Sequence, residues 1–120
     1  MILVDTSIWI LHLRSVGSGL GSLLSEGTVM CHPFIIGELA CGRIANRSEI
    51  LSLLGALPMP LVAEPSEVLS FIENHHLMGR GIGFVDANLL ASAAITGVPM
   101  WTSDRKLRTI AKELGLGYAR

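Results

Sequence analysis

The chain has 120 residues, half of them apolar, with 16% charged residues and a formal net charge of −1. That length suits a single domain spanning 1–120 and excludes two, and the charge excludes a polycation that would bind nucleic acid over its whole surface. A mean hydropathy of +0.55 is high for a small soluble monomer, so a protein partner or a second copy is expected to cover part of the surface.

The N-terminus enters an apolar run without a basic region, and the longest apolar stretch, Leu89 to Trp101, is interrupted by Ser92, Thr96, Gly97 and Pro99. No signal peptide or membrane span is expected, and the chain reads as cytoplasmic. Cys31 and Cys41 form no CxxC pair and are expected as buried, reduced thiols.

Ile2 to Val4 has the composition of a strand buried on both faces. It stops at Asp5, and Thr6 and Ser7 are good N-cap residues for a helix through Leu13. A Gly/Ser-rich turn, Ser15 to Gly19, leads to a short helix, Leu20 to Glu26, closed by Gly27. Thr28 to Cys31 is the second strand, and His32-Pro33 ends it. Pro33 opens a helix over PFIIGELACG that carries Glu38 without a basic partner at i±4. Asn46 and Glu49 resemble a capping box for the next helix, while Ala56 to Val62, with two prolines, is at most a short or edge strand.

Pro65-Ser66-Glu67 opens a helix that buries Val68, Leu69, Phe71 and Ile72. The loop Gly79 to Gly83 lacks dinucleotide-binding spacing, and Arg80 is its one candidate phosphate contact. Phe84 to Ile95 is the strongest helix, with Asp86 in its first turn and Gly97 as its stop. Val98 to Thr102 reads as a buried strand, Asp104 opens the last helix, and Gly117 to Ala119 is a further short strand. Strands alternating with helices imply an α/β fold with a central parallel sheet of four to five short strands and helices on both faces.

Asp5 and Asp104 occupy equivalent places, each ending a strand and beginning a helix, so both are expected at one edge of the sheet. Glu38 and Asp86 lie on helices able to face the same edge. Four carboxylates brought together repel one another unless a cation is present, and an all-oxygen set suits Mg²⁺ or Mn²⁺ rather than zinc. The histidines have no ligand spacing and read as surface or packing residues. No nucleophile elbow, Ser/His/Asp arrangement or P-loop is present. The available chemistry is metal-activated water attacking an electrophile, and with basic residues nearby a phosphodiester is the natural one.

With these residues in view, the chain resembles a PIN-domain ribonuclease, and more narrowly a VapC-type toxin of a bacterial toxin–antitoxin pair. The matching stretches are VDTSIWI, HPFIIGELACG, GRGIGFVDANLLASA and PMWTSD; they span nearly the whole chain in this order. The resemblance implies a three-layer α/β/α fold and an endoribonuclease using Mg²⁺ or Mn²⁺. Asp5, Glu38, Asp86 and Asp104 match the family's acidic quartet as catalytic and metal-binding residues, and Thr6 and Thr102 its supporting hydroxyls. Arg43, Arg80, Asn88 and Arg105 are candidate RNA contacts. The implied partners are RNA, a cognate antitoxin and a second copy in a homodimer, with no membrane. The competing reading is a non-catalytic RNA-binding or regulatory PIN-like domain. A phospho-acceptor switch fits poorly, because no Asp lies between Asp5 and Asp86.

Overall fold

A computed structural model describes residues 1–14 and 17–119. Part of the expected Gly/Ser turn, 15–16, lies outside the described residues.

The sheet has three parallel strands in the order β2-β1-β3: β1 (Ile2–Val4), β2 (Val29–Met30) and β3 (Met100–Trp101). Leu3 is paired with Met30 on one side and Met100 on the other. Ile2, Leu3 and Val4 are all buried. Successive strand side chains point to opposite faces, so the sheet is covered on both. The strand order reverses at β1, which places its carboxyl end at a topological switch point, where open α/β sheets build their sites.

The expected four to five strands are therefore corrected to three. Residues 56–62 form no strand; a hydrogen bond from Cys31 N–H to Pro58 carbonyl, 2.9 Å, ties them to the end of β2. Proline lacks the N–H that a ladder needs. The C-terminal strand is reduced to a single parallel bridge, Met100 to Gly117, flanked by hydrogen bonds of Met100 to Leu116 and Tyr118.

Seven helices are seen among the described residues: α1 (Thr6–Leu13), α2 (Leu20–Ser25), α3 (Pro33–Ala40), α4 (Arg47–Gly55), α5 (Pro65–Asn74), α6 (Phe84–Thr96) and α7 (Arg105–Glu113). Their ends follow local chemistry. Pro33 and Pro65 occupy first turns, where a missing N–H costs nothing. Gly97 ends α6 at φ 77°, a left-handed conformation that favours glycine. The capping box expected at Asn46 is absent: Asn46 has φ 53° and makes no side-chain cap. The box lies instead at the start of α5, where Glu64 N–H donates to Glu67 at 2.8 Å.

The core runs from the strands through Ile8, Trp9, Leu20, Ile35, Leu89, Leu90, Leu107 and Ile110, and a smaller cluster joins Val68 on α5 to Ala87 and Ala91 on α6. Cys31 is buried as expected, and desolvation pushes its thiol up to about 12. Cys41 is exposed, contrary to expectation, because it follows the last turn of α3. Of the expected buried face of α5, Val68 is buried and Leu69 is exposed. No helix among the described residues is long and apolar enough to cross a membrane.

Candidate acidic active site

Asp5 continues the strand ladder, its N–H donating to Trp101 carbonyl at 2.9 Å, and its side chain emerges at the end of β1, 6% exposed. One carboxylate oxygen, Oδ2, accepts from two hydroxyls: Thr102 at 2.7 Å and Ser7 at 2.9 Å. Each hydroxyl in turn accepts a backbone N–H of the β3–α7 corner, Asp104 N–H to Thr102 at 3.0 Å and Ser103 N–H to Ser7 at 3.0 Å. Both hydroxyl protons are thus spent on Asp5, and two consecutive amides of the corner are tied through them to one carboxylate.

Asp104 is the N-cap of α7, its Oδ1 accepting from Leu107 N–H at 2.9 Å. Glu38, on the exposed side of α3, accepts from the Thr6 hydroxyl at 2.6 Å, which supplies the partner that its own helix lacks. Asp86 sits in the first turn of α6 and accepts from Gly83 N–H at 3.1 Å. Its carboxyl is raised, first by desolvation and further by the charges of Asp5, Asp104 and Glu38, against the lowering effect of the Gly83 amide.

The four acids expected at one sheet edge thus act on one another electrostatically. Each commits one oxygen to a donor of the protein, and the second oxygen of each makes no hydrogen bond among the described residues. The donor set is all oxygen, the kind that suits a hard divalent ion. No three His, Cys, Asp or Glu side chains among the described residues stand close enough to hold an ion between them.

Ser7, which the sequence marks only as a helix-capping hydroxyl, is a further residue of the site; its place two residues after Asp5 is the available signal. His32, expected as a surface or packing residue, is buried at 0% exposure. It caps α3 by accepting Phe34 N–H at Nδ1, 2.9 Å, so the ring proton is on Nε2, 3.1 Å from Ser92 Oγ of α6. This pair links the helix of Glu38 to the helix of Asp86.

The candidate RNA contacts are dispersed. Arg43 borders a groove with Glu38 and Arg14. Arg80 is ion-paired with Glu113 at 2.6 Å. Asn88 is 3% exposed and donates to Phe84 carbonyl within its own helix at 2.9 Å, so it offers RNA no surface. Arg105 is exposed directly after Asp104.

No protein-family model matches the chain. The chain is 45% identical over 120 residues to Ribonuclease VapC32 of Mycobacterium tuberculosis, in both strain CDC 1551 / Oshkosh and strain ATCC 25618 / H37Rv, covering 99% of this chain and 97% of the relative. Two solved structures share the fold. FitAcB from Neisseria gonorrhoeae matches at TM-score 0.62 and 23% identity over 93% of this chain and 94% of that one. PAE2754 from Pyrobaculum aerophilum matches at TM-score 0.60 and 21% identity over 91% of this chain and 78% of that one.

Proposed function

The chain belongs to the VapC ribonuclease family, and from that premise we propose that it is the toxic component of a toxin–antitoxin pair, cleaving RNA in the cytoplasm as an endonuclease dependent on Mg²⁺ or Mn²⁺. What supports the reading is that the half-buried Asp86, its carboxyl raised first by desolvation, lies near enough to Asp5, Asp104 and Glu38 for their charges to raise it further. Holding four acids in mutual repulsion stabilises nothing in the metal-free fold, whereas it suits a hard cation. Mg²⁺ keeps several waters and needs only one or two direct carboxylates together with substrate phosphate, which fits acids that face one site without closing a cage.

Asp5, Asp86, Asp104 and Glu38 are the acids that would share the ion, one or two as direct ligands and the others through its waters. The chemistry such an ion would supply there is acidification of a water and neutralisation of charge on the scissile phosphate. The protein's own contribution is preorganisation. Thr102 and Ser7 fix Asp5 Oδ2, leaving Oδ1 without a hydrogen bond among the described residues; Thr6 orients Glu38; Gly83 N–H holds Asp86 Oδ2; Leu107 N–H holds Asp104 Oδ1. Attack in line would leave a 5′-phosphate and a 3′-hydroxyl.

Two surfaces suit the protein partners. An apolar groove lined by Trp9, Leu13, Leu24, Ile50, Leu53 and Leu57 meets the Glu38 groove at the shared residues Leu13 and Ile50. The Trp9 indole N–H beside it is buried with no hydrogen-bond partner. An amphipathic antitoxin segment seated there could extend a basic side chain to Glu38 and neutralise the acids. Exposed Leu61, Val62, Leu69 and Ile95 are among the apolar side chains available to a homodimer.

The test is Asp5→Asn. It should keep the fold and lower Mg²⁺- or Mn²⁺-dependent RNA cleavage by at least about 100-fold, since loss of even an outer partner of a metal costs about 10–100-fold. Cleavage at the wild-type rate would refute the assignment.

A further inference from the structure

We propose that the exposed face of α7 is a phosphate track along which the RNA leaves the acidic site, with Arg105, Arg108 and Lys112 as its cations. The inference rests on the ribonuclease reading and adds the direction in which the substrate runs.

Four of the chain's nine Lys and Arg residues lie in this one helix: Arg105, Lys106, Arg108 and Lys112. With 3.6 residues per turn, Arg105, Arg108, Thr109 and Lys112 share one side, and they line a shallow depression of about 390 Å³. Lys106 and Glu113 fall on the adjoining side, where they meet the Gly79–Gly83 loop. Glu113 is ion-paired with Arg80, and Lys106 lies over Gly81, where a Cβ would stand 2.8 Å from its Nζ. The only acid in the helix is thus committed to the loop, and the three cations of the track have no carboxylate partner among the described residues.

The donors are also free. Arg108 spends one N–H on Ser103 carbonyl, at a long 3.4 Å, and a guanidinium has five. The Thr109 hydroxyl proton goes to Arg105 carbonyl, so anion binding there depends on the charged groups. The track starts at Asp104, an acid of the site, and extends about 12 Å along the axis to Lys112. A polyanion whose scissile phosphate sits at the acids needs cations for its neighbouring phosphates. In a protein of net charge −1, this helix supplies them in line with the site.

The test measures cleavage of a single-stranded RNA by the full-length protein with Mg²⁺ or Mn²⁺ at several salt concentrations, and binding of the same RNA to the Asp5→Asn protein. Each phosphate contact to a single strand contributes about 0.7 to the log–log salt slope. Arg108→Gln/Lys112→Gln should therefore lower the slope by about 1.4 and weaken binding roughly tenfold at 0.15 M salt. KM should rise with kcat unchanged, and Lys112→Arg should retain the wild-type KM. A wild type that cleaves, beside a double variant with unchanged KM and slope, overturns the track alone and leaves this face to an acidic protein segment. A wild type that neither cleaves nor binds RNA overturns both the track and the reading beneath it.

Discussion

Thr102→Val removes one hydroxyl at constant shape and probes the joint that holds Asp5 to the opposite end of the chain. The hydroxyl donates to a buried carboxylate at 2.7 Å and accepts Asp104 N–H at 3.0 Å. A hydrogen bond to a charged group is worth about 1.5–3 kcal/mol. Ser7 still donates to the same oxygen, so the lower half of that range applies to Asp5, and the stranded Asp104 N–H adds up to about 1 kcal/mol. The expected loss is about 2–3 kcal/mol. With an unfolding entropy of about 2.1 cal/mol/K per residue over 120 residues, each kcal/mol shifts Tm by about 4 °C, giving a drop of roughly 8–12 °C. Thermal melts followed by circular dichroism measure it. In an Asp5→Asn background, where the bond is neutral, the same substitution should cost about 1 kcal/mol. A drop below roughly 3 °C, or equal costs in both backgrounds, would refute the charge-assisted bond.

Two further outcomes concern pH. The Asp86 carboxyl is raised above its ordinary value, so its protonated form is favoured in the fold and its ionisation destabilises the protein as pH rises from about 4 through the raised value. Asp86→Asn should therefore increase Tm at about pH 7 in chelator, with the gain vanishing below the carboxylate range; a gain that persists in acid contradicts the charge argument. His32 is shifted the other way, its pKa lowered by desolvation. Its contribution is present above about pH 6.5 and is lost as pH falls below that value. His32→Asn, able to keep the Phe34 cap but not to titrate, should flatten the acid limb of a urea-midpoint profile, and an unaltered limb would place the titrating group elsewhere.

The acids were legible because their positions follow from local rules. A carboxylate after a buried strand or in a helix's first turn has a predictable place in the chain, and Asp5, Asp86 and Asp104 stand where the pattern puts them, at the starts of α1, α6 and α7. Glu38 was legible as an anomaly, a charge without a helical partner. The Thr6 hydroxyl that answers it lies 32 residues away, so no local pattern points to that bond. The same limit hid Ser7, whose acceptor role toward Ser103 N–H spans 96 residues. Asn88 misled in the opposite sense. It is a candidate RNA contact by sequence, but its amide turns back to Phe84 and the residue is buried. Strand number was overread because Pro58, Pro60 and the glycines near the C-terminus leave apolar runs unable to sustain a ladder.

The strand order β2-β1-β3 has a consequence for synthesis. β1 is made first, yet one of its two neighbours is contributed by residues 100–101, and the bonds that set Asp5 come from Thr102 and from a Ser7 seated on Ser103. Closing a loop of nearly a hundred residues carries an entropic cost that only the finished sheet offsets. A nascent chain halted anywhere before β3 carries Asp5, Glu38 and Asp86 without the corner that sets Asp5, and without Asp104. Nuclease activity should accordingly arrive only once residues 100–104 have been made and docked, and products terminated before them should be inert toward the RNA around them.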